Sequence, residues 1–191
     1  MTKGRLEAFS DGVIAILITI MVLELKVPHG DDWAALRPLL SPFSTYVLSF
    51  VFLGIYWNNH HHMLHAAERI DGRVLWANLH LLFWLSLVPV TTGWVGDSHL
   101  APLPTALYGA DLLLAGIAYT ILQSTIVARQ GSESKLATAV GKDFKGKVSI
   151  ALYALGIALA FVKPWISATL YVSVALMWLV PDRRIESVLN R

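Results

Sequence analysis

Six apolar stretches of membrane-crossing length constrain this chain more than anything else in its sequence. They run over roughly 6–27, 43–66, 74–95, 104–128, 147–162 and 165–181, against the about 17–25 residues that a helix needs to cross a hydrocarbon core. Lipid offers no partner to backbone N–H and C=O groups, so such stretches satisfy their own as helices. Pro28, Pro42, Pro102, Pro104, Pro164 and Pro181 fall near the proposed ends, where a missing N–H costs least. Only Lys163, Pro164 and Trp165 join the short fifth stretch to the sixth, which predicts a tight hairpin. The expected fold is an all-α integral membrane protein with six transmembrane helices, forming a single domain over 1–191. Composition agrees: 55% of residues are hydrophobic and 15% charged, where soluble domains carry about 45–50% and about 25%.

The basic residues orient the chain. With the N-terminus inside, the cytoplasmic segments hold Lys3, Arg5, Arg69, Arg73, Arg129, Lys135, Lys142, Lys145, Lys147, Arg183, Arg184 and Arg191, and the outer segments only Lys26, Arg37 and Lys163. The positive-inside rule then places both termini in the cytoplasm of a multi-pass protein in the cell's inner (plasma) membrane. Asp11 opens the first apolar core and no small-residue cleavage site follows it, so that stretch is expected to be a retained helix rather than a secretory signal. The absence of cysteine excludes disulfides, iron–sulfur clusters and thiolate metal sites. A net charge of +2 without a dense basic run gives no case for nucleic acid.

Polar residues inside the apolar stretches stand out next. Asp11 lies about 9 Å from the cytoplasmic end of the first helix, at about 1.5 Å per residue. The second helix ends in "YWNNHHHMLHAAER" and the third begins "RVLWANLHLLFW", so Asn58, Asn59, His61, Asn78 and His80 share that depth. A carboxylate buried in lipid costs several kcal/mol unless it is paired. The expectation is an interhelical network in which Asp11 and Ser10 meet Asn78 or His80, with Trp57 or Asn59 as further donors and Arg5 reaching the interface. It can serve as packing glue or take part in proton or ion transfer. His61 and His65, four residues apart among His60, His61, His62 and His65, could offer imidazoles to zinc or haem iron. No carboxylate or cysteine accompanies them at the usual spacing, and no metal site is expected.

At about 100° per residue, Gly12, Ile16, Ile20, Leu23 and Val27 form one stripe along the first helix, with Thr19 on its flank and Asp11 pointing roughly the other way. Such a stripe can face lipid. It can equally face a symmetry axis, where rings of Ile and Leu constrict a pore and gate it by dewetting. Periodicity alone does not choose between them.

The stretch "RLEAFSDGVIAILITIMVLEL", with Arg5, Phe9, Ser10 and Asp11 in an Arg-x-x-x-Phe-Ser-Asp pattern, resembles the signature of the transmembrane protein 175 family of endolysosomal potassium channels, in its bacterial six-helix form. "YWNNHHHML" and "LWANLHLLF" look like the same family, and the resemblance is sharp over about the first 90 residues. It implies a non-enzymatic, potassium-permeable homotetramer in the lipid bilayer, with potassium as permeant ion and no cofactor. The pore would be lined by the first helix, constricted at Ile16, Ile20 and Leu23, with Thr19 tied to a modest preference for potassium over sodium. Arg5, Phe9, Ser10, Asp11, Trp57, Asn78 and His80 would form the structural polar network that holds that helix.

Two other classes remain open: a membrane redox protein binding b-type haem or quinone through His61 and His80, and a proton-coupled transporter using Asp11 and His80. Asp111, within the fourth stretch, suits a hydrogen-bonded structural role or a functional one. Glu24 could attract cations at the outer mouth or pair with Lys26. Ala106 with Ala110, and Gly156 with Ala160, are small-residue pairs that let helices pack closely.

Overall fold

The computed structural model describes residues 2–68, 70–131, 134, 136–137 and 143–179. Among them the chain folds as six α-helices: α1 Lys3–Ile20, α2 Leu40–Ala66, α3 Gly72–Asp97, α4 Pro102–Gln130, α5 Phe144–Ala160 and α6 Pro164–Leu179. Short 3-10 turns at Met21–Glu24 and Trp33–Leu39 end α1 and lead into α2. Four helical stretches are long and apolar enough to cross a membrane: Lys3–Glu24, Trp33–Ala66, Gly72–Asp97 and Pro102–Gln130. The last two helices are shorter, with 17 and 16 described residues, or about 25 Å each at 1.5 Å per residue. Val180 and Pro181, the expected end of the sixth stretch, lie outside the described residues, as do Arg69, Lys135, Lys142, Arg183, Arg184 and Arg191.

Most of the helical segments begin where the sequence supplies a reason. Pro102 and Pro164 stand at first helical positions, where a missing N–H is harmless. Asp32, Asp71 and Asp143 accept from the backbone N–H groups of Ala35, of Arg73 and Val74, and of Gly146, satisfying donors that a first turn leaves orphaned. Gly131, with φ of 89°, closes α4 in a conformation that disfavours other residues. Pro89 sits buried inside α3, a position that neighbouring helices make tolerable in membranes.

Asp71 also pairs with Arg129, which fixes the end of α4 beside the start of α3. The Val74 backbone N–H, with the Arg129 guanidinium behind it, holds the Asp71 carboxyl below its ordinary value of 3.8. A carboxyl with a lowered folded pKa adds stability above its unfolded pKa, and that stability is lost as pH falls through the folded one. Asp71→Asn is therefore expected to lower the melting temperature at neutral pH and to remove this part of the decline below about pH 4. An unchanged acid limb in a detergent melting series would count against the cap.

Consecutive helices from α2 onward pack antiparallel against one another, and α6 returns to α2 and α4. Among the described residues, helix α1 packs chiefly on α2 and α3. One apolar core joins α1, α2, α3 and α4 around Ile14, Leu53, Leu81 and Leu122. A second joins α2, α4, α5 and α6 around Phe52, Leu112, Tyr153 and Tyr171. The α5–α6 hairpin is as tight as its short linker requires: the Ser167 hydroxyl donates to Gly156 O at 2.7 Å across it. Gly156 and Gly109 both lie against the ring of Tyr171, so in α4 Gly109, rather than the Ala106–Ala110 pair, admits the close approach. At the same end of the bundle Gly96 lies under Pro42, where a Cβ would stand 2.7 Å from the Pro42 Cα.

Candidate functional site

Helix α1 is buried along one face only. Leu6, Ser10, Ile14, Leu17 and Met21 are buried at i, i+4, i+3 spacing against α2 and α3. On the other side Ile16, Ile20 and Leu23 are 56%, 42% and 78% exposed, with Thr19 exposed between them. Phe9, 48% exposed, lies on that same open side and takes no part in the buried face. A 22-residue apolar span, Lys3–Glu24, thus leaves its Ile/Leu face largely uncovered among the described residues. The Thr19 hydroxyl reaches back along its own helix, to Ile16 O at 2.9 Å and Ala15 O at 3.1 Å.

Two separate sets of contacts hold the helix from behind. At the centre of the buried face, Asn78 Nδ2 donates to Ser10 Oγ at 3.0 Å, and Asn78 Oδ1 lies 2.6 Å from His60 Nε2. All three side chains are at most 1% exposed. An amide oxygen only accepts, so His60 carries its proton on Nε2. On the flank, Trp57 Nε1 donates to Asp11 Oδ1 at 3.0 Å. That bond comes from α2, on the side of α1 away from Ile16 and Ile20. Asp11 lies at the side of the helix, partly exposed, and Ser10 occupies the inward position.

Several expected members stand elsewhere. His80 accepts from the Trp84 indole N–H at 2.9 Å, one turn along its own helix, and meets neither Asp11 nor Ser10. Asn59 donates to Ile55 O on its own helix. Arg5 is exposed in the first turn, while Lys3 reaches His65 O at 2.5 Å and ties the start of α1 to the end of α2. His60 was grouped in the sequence with the interfacial histidines, yet it is the buried partner of Asn78. Its register was legible: it lies seven residues after Leu53 and four before Leu64, both fully buried, and so on the same face of α2.

The remaining candidates sort as follows. His61 stacks on His65 with ring centres 6.2 Å apart, and among the described residues no group of three His, Asp or Glu side chains is placed to hold a metal ion. Asp111 is 4% exposed and accepts from Thr91 at 3.0 Å, between α3 and α4. Lys26 pairs with Asp97 at 2.8 Å rather than with Glu24, whose carboxylate lies against Gly93 of α3.

The family model described as endosomal/lysosomal potassium channel TMEM175 matches residues 5–89, which include α1, α2 and most of α3. A potassium channel of Chryseobacterium sp. (strain P1-3) is 57% identical over 190 residues, 100% of this chain and 99% of that protein. A potassium channel of Streptomyces collinus is 35% identical over 131 residues, covering 63% of this chain and 62% of that protein. The crystal structure of a lysosomal potassium-selective channel TMEM175 homolog from Chamaesiphon minutus matches with a TM-score of 0.78 at 27% identity, over 94% of this chain and 97% of that one.

Proposed function

The chain belongs to the TMEM175 family, and from that membership we propose that it is a potassium channel of the inner membrane in which α1 from each of four copies lines a central pore. One observation carries this reading: α1 is fully packed on one side and bears exposed Ile16, Thr19, Ile20 and Leu23 on the other. An uncovered apolar face meets either lipid or another copy, and membership of a channel family selects the copy. A closed ring of identical subunits then brings four such faces to one axis. All six helices cross the bilayer, with both termini in the cytoplasm beside the more basic end of the bundle.

Rings of Ile16, Ile20 and Leu23 form a constriction from which water withdraws, so an ion enters only by shedding part of its hydration. Thr19 supplies the polar edge. Its proton is committed to the backbone carbonyls of Ala15 and Ile16, which leaves oxygen lone pairs toward the axis as acceptors for a partly dehydrated cation. Four hydroxyls are a weaker cage than stacked rings of carbonyls, so the preference for potassium over sodium is modest. Ser10, Asn78 and His60 hold the back of α1, Asp11 and Trp57 its flank, and Phe9 packs against neighbouring copies.

Purified protein in liposomes is expected to pass potassium faster than sodium under equal gradients, without saturation. Thr19→Val is expected to shift the potassium-to-sodium ratio by a factor of about 3–10, the effect of about 0.6–1.4 kcal/mol at one site, with little change in expression. An unaltered ratio removes Thr19 from selectivity. Saturable uptake driven by a pH gradient would replace the channel with a transporter.

A further inference from the structure

Between the first turns of α2, α4 and α6 the subunit carries an open groove of about 350 Å³, on the face remote from α1. Its walls are largely apolar, with Leu40, Leu48, Val95 and Val172 beside the rings of Tyr108 and Tyr171, and hydroxyl side chains from the first turns of α2 interrupt them. It begins at the helix starts and runs inward as far as Leu48 and Val172, eight residues into α2 and α6, or about 12 Å. Thr105 also lines it. This side chain is 1% exposed, and among the described residues its Oγ1 has no hydrogen-bond partner, an unusual state for a buried hydroxyl. Two cations stand next to elements that line the groove: Arg37 lies one turn before Leu40, and Lys163 immediately precedes α6. Both are exposed and neither makes an ion pair among the described residues. The third cation at this end, Lys26, is held by Asp97. The acids here, Glu24, Asp31, Asp32 and Asp97, lie on the 24–32 segment and at the end of α3, with none on the α5–α6 hairpin.

We propose that this groove binds one anionic phospholipid per subunit, with its phosphate between Arg37 and Lys163, an ester carbonyl beside Thr105 and an acyl chain along the apolar walls. The three parts of the site occur in the order that a phospholipid presents them with depth: charge at the surface, an acceptor-seeking hydroxyl at the level of the glycerol esters, hydrocarbon below. Charge complementarity favours an anionic headgroup over a zwitterionic one. The site is independent of the pore reading, because no residue in it belongs to α1.

The test is native mass spectrometry of the full-length protein after equilibration with vesicles of equal phosphatidylglycerol and phosphatidylcholine. The expected result is one retained phosphatidylglycerol per subunit, preferred by about tenfold, the order that two basic side chains at a membrane surface supply. Arg37→Gln with Lys163→Gln should abolish the preference, and Ala168→Trp, which fills the groove, should abolish retention of both lipids. Potassium flux in each variant reports whether the protein has folded, and Thr105→Val serves as a milder second probe that should weaken retention alone. Equal retention of the two lipids, or retention indifferent to both the charge and the groove variants, overturns the proposal. So does a disulfide between copies formed at Ala168→Cys, which would place a second subunit in the groove.

Discussion

Ile20→Asn is expected to raise cation flux about tenfold and to bring the potassium-to-sodium ratio toward one. An apolar ring opposes permeation because it offers nothing in exchange for the water an ion loses, whereas an amide keeps that water in place. Removing about 1.4 kcal/mol from the barrier multiplies the rate about tenfold. The substitution costs the subunit little of its own packing, since Ile20 is 42% exposed within it. Flux and stability should therefore separate, which a packing role would not allow. Ile16→Asn and Leu23→Asn should act in the same direction. Val90→Asn, at a position on α3 that is 67% exposed, is the control and should leave flux unchanged. If currents through all three α1 variants match those of the parent protein in planar bilayers, α1 does not form the constriction.

Asn78→Leu is expected to be the most destabilising polar substitution in the bundle. The side chains have similar volume, so the effect is one of hydrogen bonding rather than of a cavity. It leaves two buried groups stranded, the Ser10 hydroxyl and the His60 Nε2–H, each costing about 1–3 kcal/mol when unpaired in a protein interior. A total of about 2–6 kcal/mol should lower the melting temperature in detergent by about 4–24 °C for a chain of this size. Adding Ser10→Ala and His60→Leu should restore much of the loss, because removing every partner of a network leaves nothing unsatisfied. If Asn78→Leu alone melts like the parent protein, the three residues are packed together without being bonded, and the anchor behind α1 is hydrophobic.

Much of the fold could be read along the chain, for reasons that act along the chain. Helices in lipid are imposed by backbone hydrogen bonding and by length, and their starts are marked by Pro102, Pro164 and the capping Asp71 and Asp143. The same local geometry separated the Ile16, Ile20 and Leu23 stripe from the rest of α1. The polar network was legible only in part. Counting residues from a helix end gives depth, which puts Ser10, Asp11, Trp57 and Asn78 at one level. It does not give azimuth across three helices. His80 and Asn78 are two residues apart and about 200° apart around α3, so packing against α1 selected Asn78 and left His80 to Trp84. His60 was overlooked because three neighbouring histidines drew it to the interface, although its spacing from Leu53 and Leu64 matched the buried face of α2.

By itself, then, the sequence determined that this is a bundle of apolar helices, roughly where each begins, and which face of α1 is largely apolar. These follow from interactions between each residue and its solvent or its own backbone. Only the tertiary structure decided that Ser10 rather than Asp11 faces inward, that Asn78 joins it to His60, that Lys26 answers Asp97, and that a groove opens between α2, α4 and α6. Those outcomes depend on how helices rotate and slide against one another, and that is set by the summed packing of side chains far apart in sequence.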